Sequence, residues 1–263
     1  MIKDASTMLK ALKKGLYSGV ILYKGKSALD GAPIVVIANR ITNASNNEKT
    51  GHMVQTWILR ADMSPQEAIN QGLDSSICGD CTHRPANNGS CYVNIGYAPR
   101  STYEAFTKNR YALVGVDFSA SIIPALFAGL IVRLGSYGDP CAAPYQIWRA
   151  MTLNAQAVNG YSHQWRNKRF KAFASLCMAS ADSEEEAQEA QSMGWRTFRV
   201  RSASAPIMAR ESICPASEEA GKKTQCALCR ACGGNSAKAR VNIVIQAHGA
   251  TKKRFFEKQG AAI

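Results

Sequence analysis

Short apolar runs separated by polar or amphipathic stretches recur along the chain. Seven of these runs are short and apolar enough to predict strands, at 33–38, 53–59, 130–134, 161–165, 173–178, 195–201 and 241–246. Apolar residues at helical spacing predict helices at 101–109, 122–129 and 144–157. The second half of the chain therefore alternates between strand and helix.

The clearest helix signal lies at 183–194. Ser183 is a favourable N-cap, and the three glutamates that follow it suit the positive end of the helix dipole. Gly194 follows the last helical residue, Met193, as a C-terminal cap. A capped helix between two predicted strands is typical of a βαβ unit.

This alternation predicts an α/β fold. Strands separated by helices of about 10–15 residues pair in parallel, and about seven such strands most simply close into a TIM-like (β/α) barrel, in a regular or an incomplete form. An open doubly wound sheet is the alternative. The chain 1–263 is expected to form one barrel-like domain with cysteine-rich segments at 78–92 and 214–232.

The composition suits one sizeable core, because 46% of the 263 residues are hydrophobic. No apolar run reaches the roughly 18 residues that a membrane span needs, since Pro124 and Gly129 interrupt the longest one. The first residues lack the apolar region of a signal peptide. We therefore expect a cytoplasmic protein without a membrane partner.

Four cysteines near the C-terminus form what we call the late cysteine group: Cys214, Cys226, Cys229 and Cys232. The last three have the spacing C-x2-C-x2-C, and Cys214 is followed by a proline. A compact triple with one distant fourth thiolate is typical of a [4Fe–4S] cluster. Zinc sites more often use two C-x2-C pairs, so the cluster is favoured over zinc and over disulfides.

Three further cysteines, Cys78, Cys81 and Cys91, form the early cysteine group. With His83 they fit a Cys3His zinc site, and with Cys141 they fit a second iron–sulfur cluster. Free thiols are the third interpretation. The proline- and asparagine-rich turn at 85–89 predicts that the chain folds back and brings Cys91 toward Cys81.

Arg133, Asp139 and His163 are the candidate catalytic residues. Arg133 and Asp139 bound a glycine-rich segment at a predicted strand end, where an α/β barrel carries its active site. Asp139 suits a base or a metal ligand, and it equally suits a cap on the next helix. His163 is placed on the following predicted strand. A small-molecule substrate of unidentified class is expected at this rim.

The net charge is +13, from 32 basic and 19 acidic residues. Such an excess predicts weak, non-specific binding to nucleic acid or simply a soluble basic surface. One basic cluster, at 166–171, is flanked by Trp165 and contains Phe170. No sequence-reading DNA- or RNA-binding motif is present.

In their order, the motifs resemble a family of poorly characterised tailed-phage gene products. The shared features are an early cysteine motif ending in Cys-Tyr (78–92), a strand ending in Gly138-Asp139, a strand with Tyr161-Ser162, and Cys-Pro followed by C-x2-C-x2-C (214–232). The resemblance covers about residues 75–245 and implies a barrel-like fold remotely similar to radical-SAM enzymes. It also implies a viral protein located in the host cytoplasm. The Cys-x3-Cys-x2-Cys signature of radical-SAM enzymes is absent.

Two hypotheses follow from these patterns. In the first, the protein binds a [4Fe–4S] cluster on an α/β barrel and has redox or radical enzyme activity. In the second, it is a basic metalloprotein that uses a cluster or zinc structurally and binds nucleic acid.

Overall fold

The computed structural model describes residues 4–43, 47–114, 122–238 and 240–258. The strands are β1 Gly19–Lys26, β2 Pro33–Asn39, β3 Val54–Arg60, β4 Tyr111–Leu113, β5 Ile131–Tyr137, β6 Ala157–Asn159, β7 Tyr161–Ser162, β8 Met178–Ala181, β9 Thr197–Arg201, β10 Glu211–Ile213 and β11 Asn242–Gln246. The helices are α1 Ala5–Lys13, α2 Pro65–Asn70, α3 Ser75–Cys78, α4 Ala98–Thr107, α5 Ile122–Leu126, α6 Tyr145–Thr152, α7 Glu184–Ser192, α8 Cys226–Cys229 and α9 Lys252–Lys258.

The strands form two sheets, and the predicted α/β class is confirmed. The six-stranded sheet has the order β4-β1-β2-β3-β5-β6, in which β1, β2 and β3 are antiparallel and the remaining neighbours are parallel. The five-stranded sheet has the order β10-β11-β9-β8-β7 and is parallel throughout. No closed barrel is formed by the strands within the described ranges.

The two sheets are joined where β6 continues into β7 with only Gly160 between them. The Gly160 N–H donates to the carbonyl of Cys232 (3.1 Å), and its carbonyl accepts from the Met178 N–H (2.9 Å). A Cβ at this position would lie 2.7 Å from the Cys177 sulfur. The glycine therefore allows the backbone to pass close to the core while it bonds to the cysteine-rich segment.

The main core lies against β2, whose residues 34–38 are all buried. Helix α1 packs against α5, and α5 packs against α6, so that Met8, Leu126 and Trp148 are fully enclosed. The Trp148 indole N–H donates to the carbonyl of Pro140 (2.8 Å). This bond ties α6 to the end of β5, which helps to fix the segment that carries Asp139.

One predicted strand of the second half, at 173–178, is wrong, and another, at 161–165, is too long. Residues 168–175 form a 3-10 helix capped by the Asn167 side chain, which accepts from the Arg169 N–H (3.1 Å). Phe173 is buried by this helix together with Phe170, three residues before it, and of the predicted residues 173–178 only Met178 belongs to a strand. The strand at 161–165 stops at Ser162, and a 3-10 turn follows at Gln164–Arg166. Tyr161, His163 and Trp165 therefore do not share a strand face.

Other expectations are confirmed. Helix α7 begins after Ser183, whose hydroxyl accepts from the Glu186 N–H (3.2 Å), and Gly194 has the left-handed φ of 79° that such an end needs. The predicted helix at 144–157 is shorter, because residues 157–159 pair with β5 as β6. Across the described ranges, no helix combines the length and apolar character needed to cross a membrane.

Candidate functional site

A cavity of about 420 Å³ opens at the carboxyl ends of β5, β7 and β8. The sequence-predicted site residues all line it: Arg133, Asp139, His163, Cys78, Cys81, Cys91, Cys214, Cys226, Cys229 and Cys232. The carboxyl ends of neighbouring parallel strands are where α/β proteins place their ligands. The structure thus brings the early and late cysteine groups to one cavity.

The late cysteine group is held by backbone hydrogen bonds from three parts of the chain. Cys214 directly follows β10, and its N–H donates to Val244 of β11 (2.8 Å). The α8 turn is docked because the N–H of Cys226 donates to the carbonyl of Lys49 (2.9 Å). The carbonyl of Cys232 accepts from Gly160, as described above. Residues distant in sequence therefore fix these cysteines at one end of the cavity.

The four late thiols are close enough for every pair to interact electrostatically. Burial raises the pKa of Cys232 to about 12, and it also raises the pKa values of Cys214 and Cys226. The Tyr161 hydroxyl hydrogen-bonds the Cys232 thiol. Within the described ranges, no three of these sulfurs lie within 4.8 Å of one another.

Cationic side chains surround the late group. The Lys49 ammonium interacts with the thiols of Cys214, Cys226 and Cys232, and its Nζ lies 3.3 Å from His248 Nε2. The Arg133 guanidinium interacts with Cys226 and donates to the Tyr92 hydroxyl (2.5 Å). Its Nε has no hydrogen-bond partner among the residues that the structure describes. This end of the cavity is therefore suited to negative charge.

The early cysteine group lines another part of the same cavity. Cys78 ends α3, and the turn at 85–89 brings the chain back, with the Cys91 N–H donating to the carbonyl of His83 (3.0 Å). The predicted return of Cys91 toward Cys81 is thus confirmed. All three pairs of thiols interact electrostatically, and burial raises their pKa values. Gly89 is required in this turn, because a Cβ there would lie 2.2 Å from the carbonyl carbon of His83.

Asp182 is a further residue of the site, and it is not among the candidate catalytic residues or metal ligands predicted from the sequence. Its Oδ1 is 2.8 Å from His83 Nε2, and its Oδ2 is 4.0 Å from His163 Nε2. Burial opposes ionisation of this carboxyl, but its hydrogen bond to His83 and the neighbouring imidazoles lower its pKa to about 2. Burial lowers the pKa of His163 to about 4. The position directly after β8 is the sequence signal for Asp182, because it matches the position of His163 after β7.

Asp139 is built into the fold. Its carboxylate accepts hydrogen bonds from the N–H of Cys141 (2.9 Å), the N–H of His163 (2.8 Å) and the hydroxyl of Ser162 (2.8 Å). It is 6% exposed, and burial raises its pKa to about 6. The bond from Cys141 supports the interpretation of Asp139 as a cap on the turn that follows it, and the bond from His163 shows that Asp139 also positions His163.

The pKa of Asp139 predicts a pH effect on stability. The folded state binds the proton more tightly than the unfolded chain, so the free energy of unfolding falls as pH rises from about 4 to about 6. Since one pKa unit corresponds to about 1.4 kcal/mol, the wild type should lose about 2 kcal/mol relative to Asp139→Asn between pH 4 and pH 7. Urea denaturation of the two proteins under anaerobic conditions measures this difference. A difference that stays constant with pH would contradict it.

The basic cluster at 166–171 is partly engaged within the fold. Arg166 pairs with Glu186 (3.2 Å) and Glu189 (2.9 Å), and its guanidinium lies over the Trp165 ring. Arg169 donates to the carbonyl of Ala28 (2.5 Å) and lies over the Phe170 ring. The aromatic residues near this cluster therefore contact its arginines.

No protein-family model matches the chain, and it shows no detectable similarity to a curated protein or to a solved structure.

Proposed function

We propose that the protein is an iron–sulfur protein in which the late cysteine group holds a [4Fe–4S] cluster beside a substrate cavity. The observation that carries this proposal is the meeting of all four late thiols at one end of the cavity, each within electrostatic reach of the other three. Hydrogen bonds to Lys49, Gly160 and Val244 hold the backbone of Cys226, Cys232 and Cys214 in place, respectively.

The sulfur spacing favours a cube over a single zinc ion. With Zn–S bonds of about 2.3 Å, tetrahedral zinc needs sulfurs roughly 3.8 Å apart. In the described part of the chain, no three late sulfurs approach within 4.8 Å of one another. A four-iron cube binds each thiolate at a different iron and so holds the sulfurs farther apart.

The residues around the late group fit a negatively charged cofactor. A cluster with four thiolate ligands would supply one-electron transfer at this end of the cavity. Lys49 and Arg133 stabilise thiolates there, and the Tyr161 hydroxyl donates to the sulfur of Cys232. Charge and hydrogen bonds to sulfur are the means by which proteins set the reduction potentials of such clusters.

The cavity supports the assignment of an enzyme activity, in which the protein transfers electrons to a small molecule bound there. Its volume of about 420 Å³ lies in the range of small-molecule sites, and its walls carry Arg133, Tyr92 and Phe198. The fold in this proposal is an incomplete (β/α) barrel. Its parallel part consists of β3, β5 and β6 from the first sheet and β7 to β11 from the second. The continuity of β6 and β7 supports this interpretation, because it makes the two sheets neighbours.

Anaerobic purification followed by iron and sulfide analysis tests the proposal. We expect a brown protein with about four irons and about four sulfides per chain. A colourless protein that contains stoichiometric zinc bound to the late cysteine group would overturn it.

Lys49 offers a test of charge at the cluster. Lys49→Met removes a cation that interacts with three of the late thiols, so the reduction potential should become more negative by tens of millivolts. Lys13→Met is the matched control, because Lys13 is exposed at the end of α1. Spectroelectrochemical titration measures both proteins. An equal potential in the wild type and Lys49→Met would show that Lys49 does not act on the cluster.

A further inference from the structure

We propose that His83, His163 and Asp182 form a binding site for a divalent transition-metal ion, with zinc as the best-matched ion. One ligand atom from each of the three residues lies within 4.8 Å of the other two. The proposal does not depend on the late cysteine group, and it differs from a Cys3His site because it takes nitrogen and oxygen ligands from three separate parts of the chain.

The fold places the three side chains together for a clear reason. His163 comes directly after β7, and Asp182 comes directly after β8, the parallel neighbour of β7. His83 is brought over these strand ends by the turn of the cysteine-rich segment. A metal at this point would join that segment to the sheet across 99 residues of sequence, the separation of His83 and Asp182.

Hydrogen bonds outside the three residues orient their ligand atoms. His83 Nδ1 is 2.6 Å from the Ser90 hydroxyl, which leaves Nε2 directed toward Asp182. Asp182 Oδ2 accepts from the Thr82 hydroxyl (2.6 Å). Histidine ligands of metals usually have such a partner on the second ring nitrogen, because it fixes the ring orientation and tautomer.

The Cys81 thiol lies beside the three residues, although it is not within 4.8 Å of all three ligand atoms. Cys81 Sγ lies 3.9 Å from His163 Nε2, a separation that two ligands of one tetrahedral metal can have. Imidazole, carboxylate and thiolate together suit zinc, which accepts nitrogen, oxygen and sulfur. His163 and Asp182 border both the main cavity and a second cavity of about 250 Å³. Ions can therefore reach the site from the solvent.

Zinc binding by the anaerobically purified, full-length protein tests the site. The protein is dialysed against buffered zinc, and bound zinc, iron and sulfide are measured in the same samples. Iron and sulfide report the cluster at the late cysteine group, and zinc reports the proposed site. We expect one zinc per chain in the wild type. In His163→Gln and Asp182→Asn, zinc affinity should fall by more than the roughly 10–100-fold that loss of an outer hydrogen-bond partner causes.

His52→Gln is the matched control, because His52 is exposed and lies outside the cavity. Ser90→Ala keeps all three ligands, so it tests the site even where a ligand variant fails to fold. The zinc affinity of Ser90→Ala should fall by about 10–100-fold, because His83 loses its outer hydrogen-bond partner. Zinc X-ray absorption should show nitrogen and oxygen neighbours at about 2.0–2.1 Å with at most one sulfur at about 2.3 Å. Three or more sulfur neighbours, unchanged zinc in His163→Gln, or no zinc in the wild type would overturn the proposal.

Discussion

Cys229→Ala is expected to lose nearly all cluster iron, from about four irons per chain in the wild type to fewer than about one. Cys226 and Cys232, the cysteines nearest in sequence, already serve as ligands in the proposed site, so no spare thiol can replace Cys229. Because metal binding and local folding are coupled, the segment around α8 should also lose order. Iron analysis, visible absorbance and limited proteolysis of the anaerobically purified variant measure these effects.

Cys177→Ala is the matched control for this experiment. Cys177 is a fully buried thiol that belongs to neither cysteine group and does not line the cavity. Its replacement should leave the iron content unchanged, although the core loses a small apolar group. Retention of full iron and colour in Cys229→Ala would contradict the assignment of the late group.

Glu211→Gln is expected to reduce the free energy of unfolding by about 3–5 kcal/mol. Glu211 forms a bidentate ion pair with Arg199, in which Nε donates to Oε1 (2.8 Å) and Nη2 donates to Oε2 (2.7 Å). The Glu211 side chain is 0% exposed and the Arg199 side chain is 1% exposed. The substitution leaves the Arg199 charge buried without its counter-charge. Denaturant unfolding of the two proteins under anaerobic conditions measures the loss.

This ion pair also has a consequence for the cofactor. Glu211 begins β10, and Cys214 comes directly after that strand, so a loosened β10 should make the iron easier to extract with a chelator. Glu189→Gln is the control, since Glu189 pairs with Arg166 at the surface and such pairs contribute only about 0–1 kcal/mol. Equal effects of the two substitutions would show that burial of the Arg199 pair is unimportant.

The parts of the fold that could be predicted have strong local signals. Strands β2 and β11 are runs of buried apolar residues, and α7 is marked at both ends by Ser183 and Gly194. Strand β1 gives a weak signal because its apolar run, from Val20 to Tyr23, is only four residues long and is followed by Lys24, Gly25 and Lys26. Strand β10 was missed because three residues are too few to give a periodic signal.

The candidate site shows the same division. The late cysteine group is local and could be recognised by spacing, with Cys214 only 12 residues before Cys226. The placement of both cysteine groups along one cavity depends on contacts between distant segments, such as the hydrogen bond from the Cys226 N–H to the Lys49 carbonyl. Pairing of His83 with Asp182 likewise depends on how the cysteine-rich segment folds over the end of β8, which the apolar pattern alone does not determine.

The short passage from β6 through Gly160 to β7 limits where the chain can change in length. One inserted residue would turn Tyr161 and Ser162 to the opposite faces of their sheet, because side chains alternate along a strand. Tyr161 would then leave the sulfur of Cys232, and Ser162 would leave the carboxylate of Asp139. Insertions and deletions between relatives of this protein are therefore expected in the exposed turn around 221–223, and not at 157–162.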